Sequence, residues 1–297
     1  MNDLVIGIDF AGPRTASQQR KKLVGIAATR IGDRRYLVTA DGFNTRLFAK
    51  DGPGWTADTL AEALAGPARA RVVALDFPFS LPAELLTDAS FGQRVGRSEP
   101  FGTWAAFNRF VCERLPVACP LDYTPLAGWR DKTLWKKRAT DVVAGGQPPL
   151  KHQFQVIFNM TLLGNALLGR LAAKGAYRVD PFDGRDDGRG VMIEIYPGFT
   201  MRRLGRPDYK RDPVAAIDTV LGHCAGAGVA IEIAPAVRAV CETYGVERGD
   251  PDASDALIAL CTGILYREGL CEPAISPEHR ESHWPLEGAV WGPRLQA

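Results

Sequence analysis

The sequence predicts an α/β fold, in which a mixed sheet of antiparallel and parallel strands is flanked by helices and carries an insertion. Three short β-branched runs, at residues 4–9, 23–29 and 35–40, follow one another closely. A Gly-Asp pair at 32–33 separates the last two and favours a hairpin, so the three runs should form an antiparallel meander. A fourth apolar run at 71–76 follows a helical segment and should return parallel to the first strand.

The individual elements follow from local signals. The first strand ends at an acid, Asp9, before the turn formers Gly12 and Pro13, and the strand at 71–76 also ends at an acid, before two prolines. Thr56 or Asp58 is a suitable N-cap for the first helix, which should end at Ala65. The remaining predicted elements are helices at 151–174 (with Gly175 as C-cap), 213–224, 235–244 and 252–266, a turn at 183–188 and a strand at 190–196.

Residues 83–150 lose any clear hydrophobic period and are rich in proline, glycine and tryptophan. We interpret them as an insertion or cap within a single domain that comprises residues 1–297. A chain of this length, with 46% hydrophobic residues, can bury one large core. The insertion is the segment that we expect to decide the substrate.

Composition limits the classes of partner. The 36 Lys and Arg residues nearly balance the 34 Asp and Glu residues, so any affinity for nucleic acid must come from a local patch. No apolar stretch approaches the roughly 18 to 20 residues of a membrane span, and no secretory signal is recognisable, so we expect a cytoplasmic protein with no membrane partner. Six scattered cysteines without a Cys-x-x-Cys pair indicate reduced thiols and no structural zinc.

Acidic residues lie on several of the predicted apolar strands. Asp9 ends the first strand, Asp76 ends Val-Val-Ala-Leu-Asp, and Glu194 lies within Val-Met-Ile-Glu-Ile-Tyr. An unpaired carboxylate is expensive to bury, and ligation of a metal offsets that cost. Hydrolysis of phosphodiesters with two Mg²⁺ or Mn²⁺ ions about 4 Å apart needs three or four carboxylates from different elements.

Two further acids, Asp252 and Asp255, are three residues apart near the start of a predicted helix and share one helical face. Asp252 could instead be only the helix N-cap, as could Asp250. Asp255 lies deeper in the helix, before Ala256, and is the better candidate ligand. Any one of these acids is weak evidence, because an Asp at a strand end is often a turn former. Four acids together, in the expected order and on the expected separate elements, are much stronger evidence; these are Asp9, Asp76, Glu194 and Asp255.

Around these acids the chain resembles a family of predicted RNase H-like nucleases. The resemblance is carried by Gly7-Ile-Asp-Phe-Ala-Gly12, Leu75-Asp-Phe-Pro-Phe-Ser80, Lys137-Arg-Ala-Thr-Asp141, Glu194-Ile-Tyr-Pro-Gly198 and Asp252-Ala-Ser-Asp-Ala-Leu257. The last segment also resembles the final acidic motif of Holliday-junction resolvases. The resemblance implies an RNase H-like fold and a metal site formed by Asp9, Asp76, Glu194 and Asp255, with Asp252 as a further participant.

The resemblance supplies no substrate, and it includes one departure. Many RNase H-like nucleases place their second acid as a Glu on the first helix or a neighbouring strand, whereas Asp76 ends a strand and precedes Phe-Pro. The predicted roles are that Asp9 bridges two ions, that Asp76 and Glu194 hold one of them, and that Asp255 holds the other.

Basic residues suggest where nucleic acid could bind. One segment interleaves tryptophans with basic side chains, a composition suited to base stacking and phosphate contacts; its candidates are Trp129, Arg130, Lys132, Trp135, Lys136, Lys137 and Arg138. It could equally be a solvated surface, and Arg138 could form a structural ion pair with Asp141. A second rim could include Arg202, Arg203, Arg206, Lys210 and Arg211, although a solvated loop is the favoured interpretation of this segment. Arg14 could reach a phosphate near the metals.

The hypothesis from sequence is therefore a metal-dependent nuclease that uses Mg²⁺ or Mn²⁺. Two alternatives stay open. One is a catalytically silent RNase H-like module that binds nucleic acid or a protein. The other is a nucleotide-binding relative of the sugar-kinase and actin fold, which Gly7-Ile-Asp9 with Gly12 would suit, although that architecture normally needs two such domains.

Overall fold

A computed structural model describes residues 3–40, 54–66, 70–153, 157–184, 188–248 and 252–295, with only the backbone of 244–248. Its strands belong to one mixed sheet. In chain order they are β1 (Leu4–Asp9), β2 (Val24–Gly32), β3 (Arg35–Val38), β4 (Val72–Asp76), β5 (Tyr177–Val179), β6 (Gly190–Ile195), β7 (Ala230–Ile233), β8 (Cys271–Pro273) and β9 (Val290–Pro293).

Neighbouring strands in the sheet follow the order β7-β3-β2-β1-β4-β6-β9-β8, and β5 pairs with β6. Strands β1, β2 and β3 form an antiparallel meander, β4 is parallel to β1, and β6 is parallel to β4. These pairings confirm the predicted α/β class and the predicted meander. They also bring the carboxyl ends of β1, β4 and β6 to the same edge of the sheet.

The helices lie between and after these strands. In chain order they are α1 (Ala16–Lys22), α2 (Ala57–Ala65), α3 (Ala83–Thr87), α4 (Ala89–Gln93), α5 (Trp104–Arg114), α6 (Ala139–Ala144), α7 (Ile157–Ala173), α8 (Pro197–Arg203), α9 (Pro213–Gly226), α10 (Pro235–Arg248), α11 (Asp252–Arg267), α12 (Pro277–Arg280) and α13 (Trp284–Glu287). Thr56, one of the two predicted N-caps, caps α2, and it does so through a reciprocal pair of hydrogen bonds with Thr59.

Several boundaries differ from the sequence prediction. Residues 151–153 are not helical, so α7 is shorter than the predicted helix at 151–174, although Gly175 has the positive φ of 62° that suits the end of a helix. Helix α1 and strands β7, β8 and β9 had no counterpart in the prediction. Part of the predicted turn at 183–188 and the alternative cap Asp250 lie outside the described residues.

Residues 83–150 pack on the sheet and share its core. Phe91, Phe107 and Trp129 from this segment are buried in the same apolar cluster as Val73 and Leu75 of β4. That cluster covers one face of the sheet, and a second cluster, centred on α11, covers the other face. The segment therefore contributes to the main hydrophobic core, whatever role it has toward a substrate.

Helix α11 lies unusually close to β1. A Cβ atom on Gly7 would lie 2.1 Å from the backbone nitrogen of Leu260 and 2.5 Å from the carbonyl oxygen of Ala256. Farther along the helix, a Cβ on Gly263 would lie 3.1 Å from the Ala74 side chain of β4. The contact at Gly7 therefore fixes where the first turn of α11 lies relative to the end of β1.

This contact gives a first prediction. Gly7→Ala should lower the free energy of unfolding by roughly 1–3 kcal/mol or more, because the added methyl group meets helix backbone that cannot rotate away. Gly222→Ala is the matched control: Gly222 is exposed within α9, its added Cβ would meet nothing within 4 Å, and helix propensity predicts a gain of about 0.5–1 kcal/mol. Urea denaturation of both variants measures the difference; equal effects of the two substitutions would contradict the close packing.

Candidate functional site: a carboxylate cluster at the strand ends

Four aspartates from three elements converge at the carboxyl end of the central strands. Asp9 of β1 and Asp76 of β4 are directly paired in the parallel register, so their side chains leave adjacent strand ends. Asp252 and Asp255 belong to the first turn of α11 and are buried, with 8% and 3% of their surfaces exposed. We call Asp9, Asp76, Asp252 and Asp255 the carboxylate cluster.

The members of the cluster influence one another electrostatically. Burial raises the pKa of Asp9 well above its ordinary value, and the charges of Asp255, Asp252 and Asp76 raise it further. Burial likewise raises the pKa of Asp76, again with Asp255 as the leading charged neighbour. Like charges that are close together disfavour simultaneous ionisation. The cluster is therefore short of positive charge.

Two lysines supply part of that charge. The Nζ atom of Lys210 lies 2.9 Å from Asp255 Oδ2, and the Nζ atom of Lys22 lies 3.4 Å from Asp252 Oδ2. The other oxygen of Asp255, Oδ1, is buried and makes no hydrogen bond of ordinary geometry with the described residues, although the Tyr209 hydroxyl group interacts with the same carboxyl group and lowers its pKa. Buried polar atoms usually have a hydrogen-bond partner, so this oxygen is a candidate donor to a cation.

Within the described ranges, no group of three or more His, Cys, Asp or Glu side chains is already arranged around a common metal position. The chemistry of the donors nevertheless fits a hard divalent cation, because all four are carboxylates and one buried oxygen is unpartnered. Such a cation would compete with the Lys210 ammonium for Asp255, so binding requires these side chains to adjust.

Glu194 of β6 lies beside the cluster, but its oxygens are engaged elsewhere. Arg138 donates from Nη2 to Oε1 over 2.5 Å and from Nη1 to Oε2 over 2.7 Å, and the backbone N–H of Phe79 donates to Oε2 over 2.9 Å. The charge of Glu194 still contributes to raising the pKa of Asp76. The structure thus places this predicted ligand next to the cluster, in a buried ion pair.

Arg138 is the centre of a buried polar network. Besides Glu194, it donates to both oxygens of Asp141, over 2.9 and 2.7 Å, and to the backbone oxygen of Glu287 over 3.1 Å. The Glu287 carboxylate accepts hydrogen bonds from the backbone N–H groups of Ala83 and Ala139. The structural ion pair between Arg138 and Asp141, one of the two interpretations that the sequence allowed, is therefore the one observed.

Two predicted contacts with nucleic acid are wrong, because their side chains are buried. The Arg138 side chain is 1% exposed and is bound by carboxylates. The Trp129 ring has no exposed surface and stacks on Phe91, with 4.7 Å between the ring centroids. Neither side chain extends from the protein surface toward a nucleic acid, because the segment that carries them folds into the core.

The other predicted basic residues lie nearer to solvent. Arg130, Lys132, Lys136, Lys137, Arg202, Arg206, Lys210 and Arg211 are exposed, and Arg14 is exposed near Asp122. Trp135 is half-buried, and its indole N–H donates to His152 Nδ1 over 3.1 Å. Arg203 is half-buried and bound to Glu272. Contacts of these side chains with nucleic acid stay predictions.

Sequence reasoning missed two neighbours of the cluster, Lys22 and Tyr209. Lys22 ends α1, which was not predicted, and it meets Asp252 across 230 residues of sequence. Tyr209 is buried in a short 3-10 turn, and burial together with the charge of Asp255 raises the pKa of its hydroxyl group. No local pattern could have signalled either contact. Lys210 had been included only as part of a basic rim.

Comparison of the chain with models of known protein families, with curated proteins and with solved structures found no match. None of the helices in the described ranges combines the length and the apolar composition that a membrane span requires.

The raised carboxyl pKa values predict how stability depends on pH. Asp9 and Asp76 bind protons more tightly in the folded state than in the unfolded state, so they stabilise the fold fully below their unfolded pKa, and this contribution is lost as the pH rises through their folded pKa. Each such proton changes the free energy of unfolding by up to about 1.4 kcal/mol per pH unit. As the pH of metal-free buffer rises from 4 to 8, the free energy of unfolding of wild type should therefore fall relative to that of Asp9→Asn, by roughly one or more kcal/mol. A difference independent of pH would contradict the coupling.

Proposed function

We propose that the chain is an RNase H-like nuclease that depends on divalent metal ions and hydrolyses phosphodiester bonds. The observation that carries the proposal is the pairing of Asp9 and Asp76 at adjacent strand ends, with Asp252 and Asp255 of α11 facing them. Carboxylates from separate rigid elements are the ligands that Mg²⁺ and Mn²⁺ prefer at sites of phosphoryl transfer.

The architecture supports the fold assignment. An antiparallel meander, followed by β4 parallel to β1 and β6 parallel to β4, is the strand plan that the sequence led us to associate with RNase H-like proteins. The acids also lie where that plan would place a site, at the carboxyl ends of the central strands.

The electrostatics suggest a role for each residue. Asp9 is influenced by all three other aspartates, which suits an oxygen donor shared between two ions. Asp76 would hold one ion, and Asp255 with Asp252 would hold the other. Bound ions would activate a water molecule for attack and stabilise the leaving oxygen. Glu194 would hold the Arg138 side chain in position and add negative charge beside Asp76.

The same electrostatics favour a cation-binding role over a catalytically silent module that binds only nucleic acid or a protein. Partly or fully buried carboxylates that raise one another's pKa cost stability unless a ligand compensates them. A module with no cation to bind would gain stability by replacing Asp9 or Asp76 with a neutral residue.

The test is cleavage of end-labelled single-stranded and duplex DNA and RNA in Mg²⁺, Mn²⁺ or no metal. We expect metal-dependent cleavage, and Asp255→Asn should reduce its rate by about 100-fold or more, since metal ions contribute several kcal/mol to such transition states. Asp33→Asn is the matched control, because Asp33 is an exposed aspartate at the tip of the β2–β3 hairpin. The proposal fails if no substrate is cleaved, or if Asp255→Asn cleaves at the wild-type rate.

A further inference from the structure

A pocket of about 320 Å³ opens directly beside the carboxylate cluster. Asp76 and Lys210 border it on the side of the cluster, and the ion pair of Arg138 with Glu194 forms part of its wall. Most of the remaining lining is apolar, from Phe77, Pro78, Ile157, Met160, Ile195 and Val290. A largely apolar concavity with a few convergent polar groups is the usual form of a small-ligand site.

The lining has features suited to a planar heterocycle. Tyr196 borders the pocket, and the guanidinium group of Arg202 lies 5.2 Å from the centre of the Tyr196 ring. Gln147 also borders it; its Oε1 atom accepts a hydrogen bond from Lys151 Nζ over 2.8 Å, which orients the side-chain amide. An aromatic ring offers stacking to a base, and an oriented amide offers a hydrogen bond to the edge of a base.

The position of the pocket relates the two sites. Asp76 belongs to the carboxylate cluster and also borders the pocket, and Lys210, which binds Asp255, does the same. A phosphate held by divalent cations at the carboxylate cluster would therefore have its attached nucleoside within reach of the pocket. The volume is at the lower end of the range of about 300 to 1,000 Å³ that small-molecule sites occupy. It suits one base with part of its sugar and is too small for a base pair.

We propose that this pocket binds a single unstacked nucleobase next to the phosphate that divalent cations would hold at the carboxylate cluster. The inference rests on the proposed nuclease function and extends it, because it defines the substrate as single-stranded or locally unpaired nucleic acid. Tyr196 stacks on the base, Gln147 contacts its edge, and Met160 closes the apolar side.

The experiment compares adenosine monophosphate with ribose 5-phosphate, which lacks the base, by isothermal titration with and without Mn²⁺. We expect the nucleotide to bind roughly 5- to 100-fold more tightly, the range that corresponds to the stacking of one base on an aromatic side chain. Equal affinities, or no binding of either compound, would overturn the inference.

Four variants localise the effect. Met160→Trp fills the pocket and should remove the preference for the nucleotide, while Val142→Trp, on the exposed face of α6 and outside the pocket lining, should leave it unchanged. Tyr196→Ala should also remove the preference, and Tyr196→Phe should restore it, because stacking needs the ring and not the hydroxyl group. A preference that survives both Met160→Trp and Tyr196→Ala places the base elsewhere and overturns the inference.

This test is separate from the test of the nuclease. A preference for the nucleotide that disappears in Met160→Trp supports the pocket even if no nucleic acid is cleaved. Conversely, cleavage that depends on Asp255 but proceeds equally on single strands, on duplexes and on abasic strands supports the nuclease and overturns the role of the pocket.

Discussion

Arg138→Met will lower the free energy of unfolding by about 3–5 kcal/mol, the cost typical of breaking a buried ion pair by removing one partner. The variant leaves the buried carboxylates of Asp141 and Glu194 without their cation, and the backbone oxygen of Glu287 without its donor. Methionine keeps much of the side-chain volume, so loss of charge and hydrogen bonds dominates the effect. Urea denaturation measures the change in the free energy of unfolding, with wild type and variant fitted to the same dependence of that free energy on urea concentration.

Two further variants identify the cause. Arg109→Met removes an exposed arginine from α5 and should change stability by less than about 0.5 kcal/mol. Adding Asp141→Asn and Glu194→Gln to Arg138→Met removes the uncompensated charges and should recover part of the loss. The ion pairs of Arg138 do not stabilise the fold as described if Arg138→Met is as stable as wild type. The same conclusion follows if the triple variant is less stable than Arg138→Met alone.

Asp9→Asn is expected to have two large effects of opposite sign. It should reduce metal-dependent cleavage by about 1,000-fold, because Asp9 is the proposed ligand shared by both ions. It should also raise the melting temperature of the metal-free protein at pH 8, because it removes one charge from a cluster whose members repel one another. Activity assays and thermal denaturation of the same preparation measure both effects.

The combination is more informative than either effect alone. A variant that is merely misfolded loses activity and stability together, whereas removal of a metal ligand loses activity while stability rises. Asp33→Asn, at the exposed hairpin tip, should change neither property appreciably. An Asp9→Asn protein that is less stable than wild type without metal would contradict the electrostatic account of the cluster.

The candidate acids could be found from sequence because their signal is local. Asp9 and Asp76 end runs of buried β residues, and Asp255 lies in an apolar helix, so an acid at each of these positions is conspicuous. The parallel pairing that brings the first two together follows from the helical segment between their strands. Local pattern therefore sufficed to predict both the elements and their approximate meeting point.

The partners of those acids could not be found in this way. Glu194 meets Arg138 across 56 residues, and Asp252 meets Lys22 across 230, so neither pairing leaves a trace in local spacing. Trp129 was misread because a tryptophan flanked by basic residues resembles a binding surface, whereas its ring completes an aromatic cluster with Phe91. A segment without hydrophobic period gives no indication of which side faces the core.

The most direct measurement of the central claim is isothermal titration of Mn²⁺ into the metal-free protein and into Asp9→Asn at neutral pH. The carboxylate cluster predicts micromolar binding in wild type that Asp9→Asn weakens at least tenfold, since the variant removes a ligand that all three other acids face. No detectable binding in wild type, or equal binding in the two proteins, would contradict the assignment of these aspartates as a metal site.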